Sequence, residues 1–203
     1  MADDTDTVSG ILLAKEPSGE RHLKLALLSP EKGLVACLLR VATKATTPAP
    51  DLFDYAEVSL NPPKGGGPRF AGEYRIIRRE PEIGADYGRL AIACRLALIL
   101  TRNPPPDGSS AEVHDLCVEA VQAFAGRPRP DATLFKSLWK LVRGEGYPVQ
   151  EHWLRGLDRG DREAVASILN CPLDAQVETA DNVSRLTRRL ERWLENECHF
   201  VLP

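Results

Sequence analysis

The spacing of apolar positions changes near residue 80. Before it the pattern has period two and is broken by tight turns; after it the period is close to 3.6. Val8 to Lys15 is rich in aliphatic residues and ends at the turn signal Pro17-Ser18-Gly19. His22 to Leu28 alternates, with Leu23, Leu25 and Leu27 on one face and His22 and Lys24 on the other. Ser29-Pro30-Glu31-Lys32-Gly33 predicts a hairpin turn closed by a left-handed glycine. Leu34 to Val41 is a third strand, Phe53 to Leu60 a fourth with Ala56, Val58 and Leu60 inward, and Phe70 to Arg78 a fifth with Tyr74 and Ile76 inward. Five strands so close together leave no room for the long crossovers that parallel sheets need. A small antiparallel barrel buries these faces and removes most edges. An oligonucleotide-binding (OB) barrel is the leading expectation, with an SH3-like barrel as its competitor.

The second half reads as helices. Tyr87 to Arg102 is apolar almost all round, which predicts a central, buried helix. Ser109 and Glu112 form a capping-box pattern ahead of Val113, Leu116, Cys117, Ala120, Val121 and Phe124, and leave His114 facing outward. Asp131 is the expected cap of a helix carrying Leu134, Phe135, Leu138, Trp139 and Val142, stopped by Gly144 and Gly146. A short helix follows over Arg162 to Leu169. Asp181 is the expected cap of a last helix with Val183, Leu186, Leu190, Trp193 and Leu194 inward. The fold class is therefore α+β: an N-terminal five-stranded antiparallel OB-fold-like barrel (residues 1–80) followed by an α-helical domain (residues 81–203). Pro81 to Gly84 is the boundary, too short for a flexible linker.

Composition narrows the function. A 43% hydrophobic chain of 203 residues suffices for a packed core. The first seven residues are acidic rather than signal-like, and the most apolar run, Leu90 to Leu100, is interrupted by Arg95 and falls short of the roughly 20 apolar residues of a spanning helix. A cytoplasmic location without membrane contact is expected. The five cysteines have no C-x-x-C spacing and the four histidines no metal-like spacing, so neither zinc nor a disulfide framework is expected. No phosphate loop or nucleophile elbow occurs, and no cofactor or enzymatic activity is expected.

The net charge of −3 is unevenly spread. Residues 8–79 carry eleven Lys and Arg against seven Asp and Glu, a net +4, while residues 81–203 come to −3. The barrel is the segment with phosphate-binding chemistry. Lys24 on strand two and Arg40 late in strand three fall on adjacent strands. Arg21 and Lys32 sit at turns, and Lys44, Lys64 and Arg69 in loops at the barrel rim. The barrel's aromatics are few (Phe53, Tyr55, Phe70 and Tyr74), and some must fill the core, so binding is expected to track the backbone and to be weak and salt-sensitive rather than stacking-based. On the last helix Arg185, Arg188, Arg189 and Arg192 interleave with Glu191, Glu195 and Glu197, a pattern expected of a solvent face of i,i+3 and i,i+4 pairs.

The order of these residues resembles a known family. Gly10-Ile11-Leu12-Leu13, Ser18-Gly19-Glu20-Arg21, Leu25-Ala26-Leu27-Leu28-Ser29 and Glu31-Lys32-Gly33-Leu34 resemble the opening of the bacterial recombination mediator RecO. Arg40-Val41-Ala42-Thr43-Lys44 stands where that family has a basic stretch. Pro48 to Leu60 is similar to its entry into strand four, Arg75 to Ile83 to its exit into the helices, and Leu134 to Tyr147 with Pro148 to its helix ending in a G-Y-x-P-like turn. The resemblance implies an OB barrel with a helical domain that binds single- and double-stranded DNA, anneals strands, engages the C-terminal tail of single-stranded-DNA-binding protein (SSB) and RecR, and helps load RecA in gap and double-strand-break repair, without catalysis. Residues 150–157 lack the cysteines with which many members bind zinc. The alternative is a protein–protein adaptor of the same architecture that receives an acidic peptide tail in a groove near Lys136, Lys140 and Arg143.

Overall fold

The period-two alternation of the first eighty residues closes into a barrel. The computed structural model describes residues 6–41, 48–61, 67–106 and 108–203. Its strands are β1 (Asp6–Ser18), β2 (His22–Ser29), β3 (Gly33–Arg40), β4 (Tyr55–Asn61) and β5 (Phe70–Arg78). They close in the order β1-β2-β3-β5-β4. All neighbours are antiparallel except β3 and β5, which meet in a short parallel seam, Leu38 opposite Phe70 and Leu39 opposite Ala71. That order with its parallel seam is OB-fold-like and decides against the SH3-like competitor.

β1 outruns the expected Val8 to Lys15 at both ends because it serves two partners. Its first half pairs with β4 and its second half with β2, and a bulge between Leu12 and Ala14 bends it. The barrel interior is filled by Val8, Leu12, Leu25, Leu27, Cys37, Leu39, Ala56, Val58 and Leu60. Gly33 closes the β2–β3 hairpin at φ +63, the left-handed conformation the turn requires. Gly10 lies where β1 crosses β2 so closely that a Cβ would stand 2.3 Å from the Leu28 carbonyl oxygen.

The chain divides into two compact units. One joins Met1–Glu80 with Pro104–Asp115, and the other joins Pro81–Asn103 with Leu116–Pro203. Residues 104–115 thus go with the barrel, although they follow the first long helix in sequence. The helices are α1 (Pro81–Gly84), α2 (Tyr87–Arg102), α3 (Ser110–Gly126), α4 (Pro130–Gly144), α5 (Arg159–Asn170) and α6 (Ala180–Glu197). A π-helical turn, Val149–Trp153, and a 3-10 turn, Leu154–Gly156, separate α4 from α5.

Several local expectations need correction. α2 is not buried on every side: Ala93, Leu96, Ala97, Ile99 and Leu100 are buried, while Tyr87 and Leu98 are exposed. His114 is not a surface residue; it is 5% exposed, and its ring packs edge-on against Tyr55 at 5.8 Å. Segment 104–115 belongs to the barrel unit, and a helical-face argument made on α3 alone misses that. Asp131 does not cap α4. It takes the guanidinium of Arg129, the residue at the cap position, at 2.7 Å. Thr179 caps α6 in place of Asp181. The Ser109 hydroxyl donates to the Pro106 carbonyl.

The α6 charges are also used differently from an i,i+4 lattice. Glu191 is buried and accepts two bonds from Arg95 of α2, at 2.6 and 2.9 Å. Arg185 and Arg189 both grip Asp161 of α5, itself buried. Among the described residues no helix is long and apolar enough to cross a membrane, and no cluster of His, Cys, Asp or Glu has the makings of a metal site.

Candidate nucleic-acid interface

The outer surface of the β2–β3 hairpin follows from strand alternation. Leu23, Leu25 and Leu27 point inward, so His22 and Lys24 point out. In an antiparallel pair, opposite residues share a face. His22 is opposite Arg40, and Lys24 is opposite Leu38. Lys24 and Arg40 are therefore diagonal neighbours on the outer face, about 7–8 Å apart by sheet geometry. Arg21 joins the same end of the hairpin, because its carbonyl accepts from the Val41 amide at 2.8 Å.

Phe70 completes the patch. It is paired with Leu38 across the parallel seam and is 42% exposed. The His22 ring lies edge-on to it, centroids 5.7 Å apart. Strict alternation would have turned Phe70 inward along with Tyr74 and Ile76. A bulge intervenes: Val58 pairs with Tyr74, but Leu60 pairs with Ala71, so β5 spends one more residue than β4. The extra residue inverts the parity and turns Phe70 to solvent. Of the other aromatics, Phe53 is buried and Tyr74 packs against the core. Tyr55 is half-buried beneath the Arg78 guanidinium, 5.9 Å from its centroid.

Ion pairing sorts the barrel's cations. Lys15 pairs with Asp51, Arg75 with Glu57, Arg78 with Glu80 and Arg79 with Asp54. Lys32 and Arg69 share Asp6, whose carboxyl is held below the usual carboxylate range first by the Lys32 hydrogen bond and further by Arg69. Among the described residues Arg21, Lys24 and Arg40 alone of the barrel's cations have no acidic partner; Lys24 and Arg40 share the face of His22 and Phe70, and Arg21 lies at the same end of the hairpin. Lys44 and Lys64 lie outside the described residues. Of the seven sequence-derived candidates, Lys24 and Arg40 share one face, Arg21 lies at the same hairpin end, and Lys32 and Arg69 are half-neutralised by Asp6.

The candidate peptide groove is less open. Lys136, Lys140 and Arg143 are all on α4. The Lys136 ammonium donates to the Cys171 carbonyl at 2.6 Å, and burial pushes its pKa down. Lys140 pairs with Glu119 of α3 at 2.6 Å. Arg143 is exposed and has no acidic partner among the described residues. Two of the three cations thus already have partners, Lys140 in an exposed pair. Neither protein-family models nor curated proteins give a match to this chain.

Proposed function

We infer that this chain is a non-catalytic nucleic-acid-binding protein whose barrel contacts single-stranded DNA through the outer face of β2, β3 and the start of β5. One observation carries the reading: among the described residues, two barrel cations without an acidic partner, Lys24 and Arg40, share a face with the exposed ring of Phe70, and a third, Arg21, lies at the same end of the hairpin. Cations on a phosphate backbone supply affinity by counterion release. A ring beside them adds stacking without demanding a sequence. This modifies the stacking-poor mode expected from composition, because Phe70 with His22 is a stacking platform. The biological role proposed is that of a RecO-like mediator, binding and annealing strands during recombinational repair. The acidic-peptide alternative at Lys136, Lys140 and Arg143 has less support, since two of those cations already have partners.

The test is fluorescence anisotropy of a short labelled single strand. Three phosphate contacts give a log–log salt slope of about −2, so affinity falls about 20-fold between about 50 and 200 mM salt. Arg40→Glu flattens that slope, and Phe70→Ala weakens binding by about 1–3 kcal/mol with the slope unchanged. Salt-independent binding, or binding indifferent to both substitutions, removes the reading.

A further inference from the structure

The helical unit contains a cleft of about 310 Å³ that the barrel reading does not use. One wall is the π-helical turn Val149–Trp153 with the 3-10 turn behind it, and the other is the last two turns of α6. The floor is apolar. Trp153 and Leu157 are buried there, and Trp153 packs on Trp139 with ring centroids 6.0 Å apart. The α6 wall presents the half-buried ring of Trp193, the side-chain amide of Asn196 and the carboxylate of Glu197.

The charges around the cleft are separated. Arg192 lines it, and Arg188 lies one helical turn away on the same face, about 6 Å along the axis. Both are exposed, and among the described residues neither has an acidic partner. Arg189, between them, is held by Asp161. Anionic groups are thus favoured on the α6 ridge. Within the cleft, which Arg189 and Arg192 also line, Arg189 is engaged by Asp161 and Glu197 accepts N–H donors.

We propose that this cleft binds one nucleotide of a single strand, with the base against Trp193 and the flanking phosphates on Arg192 and Arg188. A neutral planar base with N–H donors suits a cleft that offers an aromatic face, an amide and a carboxylate. An acidic peptide would use Arg192 but leave the aromatic face of Trp193 and the acceptor Glu197 unused. The ligand class rests on the reading of the barrel, but the site is separate and has its own reporter.

That reporter is intrinsic. All three tryptophans, Trp139, Trp153 and Trp193, belong to the helical unit, and the barrel has none. Tryptophan quenching on titration with unlabelled oligo(dT) at low salt therefore reads the cleft, while anisotropy of a labelled strand reads all binding. The expected result is saturable quenching. Trp193→Phe removes most of it, and Arg192→Glu raises the half-saturation point about 5-fold or more, with the urea midpoint showing that this exposed substitution leaves the fold intact. Arg40→Glu in the barrel weakens anisotropy-detected binding and leaves cleft quenching in place. Binding by anisotropy without quenching overturns the cleft site and leaves the barrel reading standing. Quenching insensitive to Arg192→Glu also overturns it. Quenching by a poly-aspartate peptide but not by oligo(dT) makes the cleft a peptide site, and no response in either assay refutes both readings.

Discussion

Arg95 and Glu191 make the most exacting test of the helical packing. Glu191 is buried on α6 with its side chain 5% exposed, and Arg95 of α2 meets it with two bonds, at 2.6 and 2.9 Å. Arg95→Ala leaves a carboxylate in the interior without its counter-charge. Breaking a buried pair in this way costs about 3–5 kcal/mol. The Arg95 side chain is 40% exposed, so water reaches the vacated site and the lower end, about 3 kcal/mol, is expected. Glu191→Ala strands only a guanidinium that already touches water, and costs less, about 1–2 kcal/mol. The double variant Arg95→Met/Glu191→Leu replaces charge with apolar volume and comes out near the parent. Urea unfolding followed by tryptophan fluorescence reads this directly, since every tryptophan is in the same unit as the pair. With m of about 1.5 kcal/mol/M, Arg95→Ala lowers the midpoint by about 2 M. A cost under about 1 kcal/mol, or one no larger than that of Glu191→Ala, refutes the reasoning and makes the pair a solvated one.

Two further outcomes follow from single residues. The Arg185 hydrogen bond, with the charges of Arg185 and Arg189, holds the Asp161 carboxyl below its ordinary value of 3.8; its stabilisation is complete above that value and is lost as pH falls through it toward the depressed one. Asp161→Asn therefore costs about 1–2 kcal/mol near neutral pH, and the two stability curves converge in acid; parallel curves across pH 2–7 count against the ion-pair hub. Gly10→Ala forces a Cβ to 2.3 Å from the Leu28 carbonyl oxygen and 2.8 Å from its carbon, so β1 and β2 must part at a cost of at least about 2 kcal/mol. Amide exchange of the β1–β2 ladder accelerates in that variant, and unchanged protection would show that the strands do not approach so closely.

Much of the architecture was legible from periodicity alone. β5 begins and ends at the expected residues, as does α2, and the alternation at Leu23, Leu25 and Leu27 or Ala56, Val58 and Leu60 names the barrel core, because a strand with one buried face has no other solution. The cations Arg21, Lys24 and Arg40 were equally visible as members of a mildly basic segment. Charge counting could not separate them from Lys32 and Arg69, whose shared partner Asp6 is distant in sequence. The α6 charges misled for a related reason: i,i+4 spacing is local, whereas the partners chosen, Arg95 and Asp161, come from other helices.

The amino-acid sequence by itself determined where the five strands and the long helices lie and most of the apolar residues that are interior, since those depend on spacing along one chain. The tertiary structure decided how the barrel closes, which cations stay free and which way Phe70 faces. Closure at Leu38 and Phe70 joins strands that are not neighbours in sequence. The orientation of Phe70 turns on a single extra residue between the Tyr74 and Ala71 pairings. Such a bulge exists only when two strands are laid side by side, so the parity of one strand read alone places the ring on the wrong face.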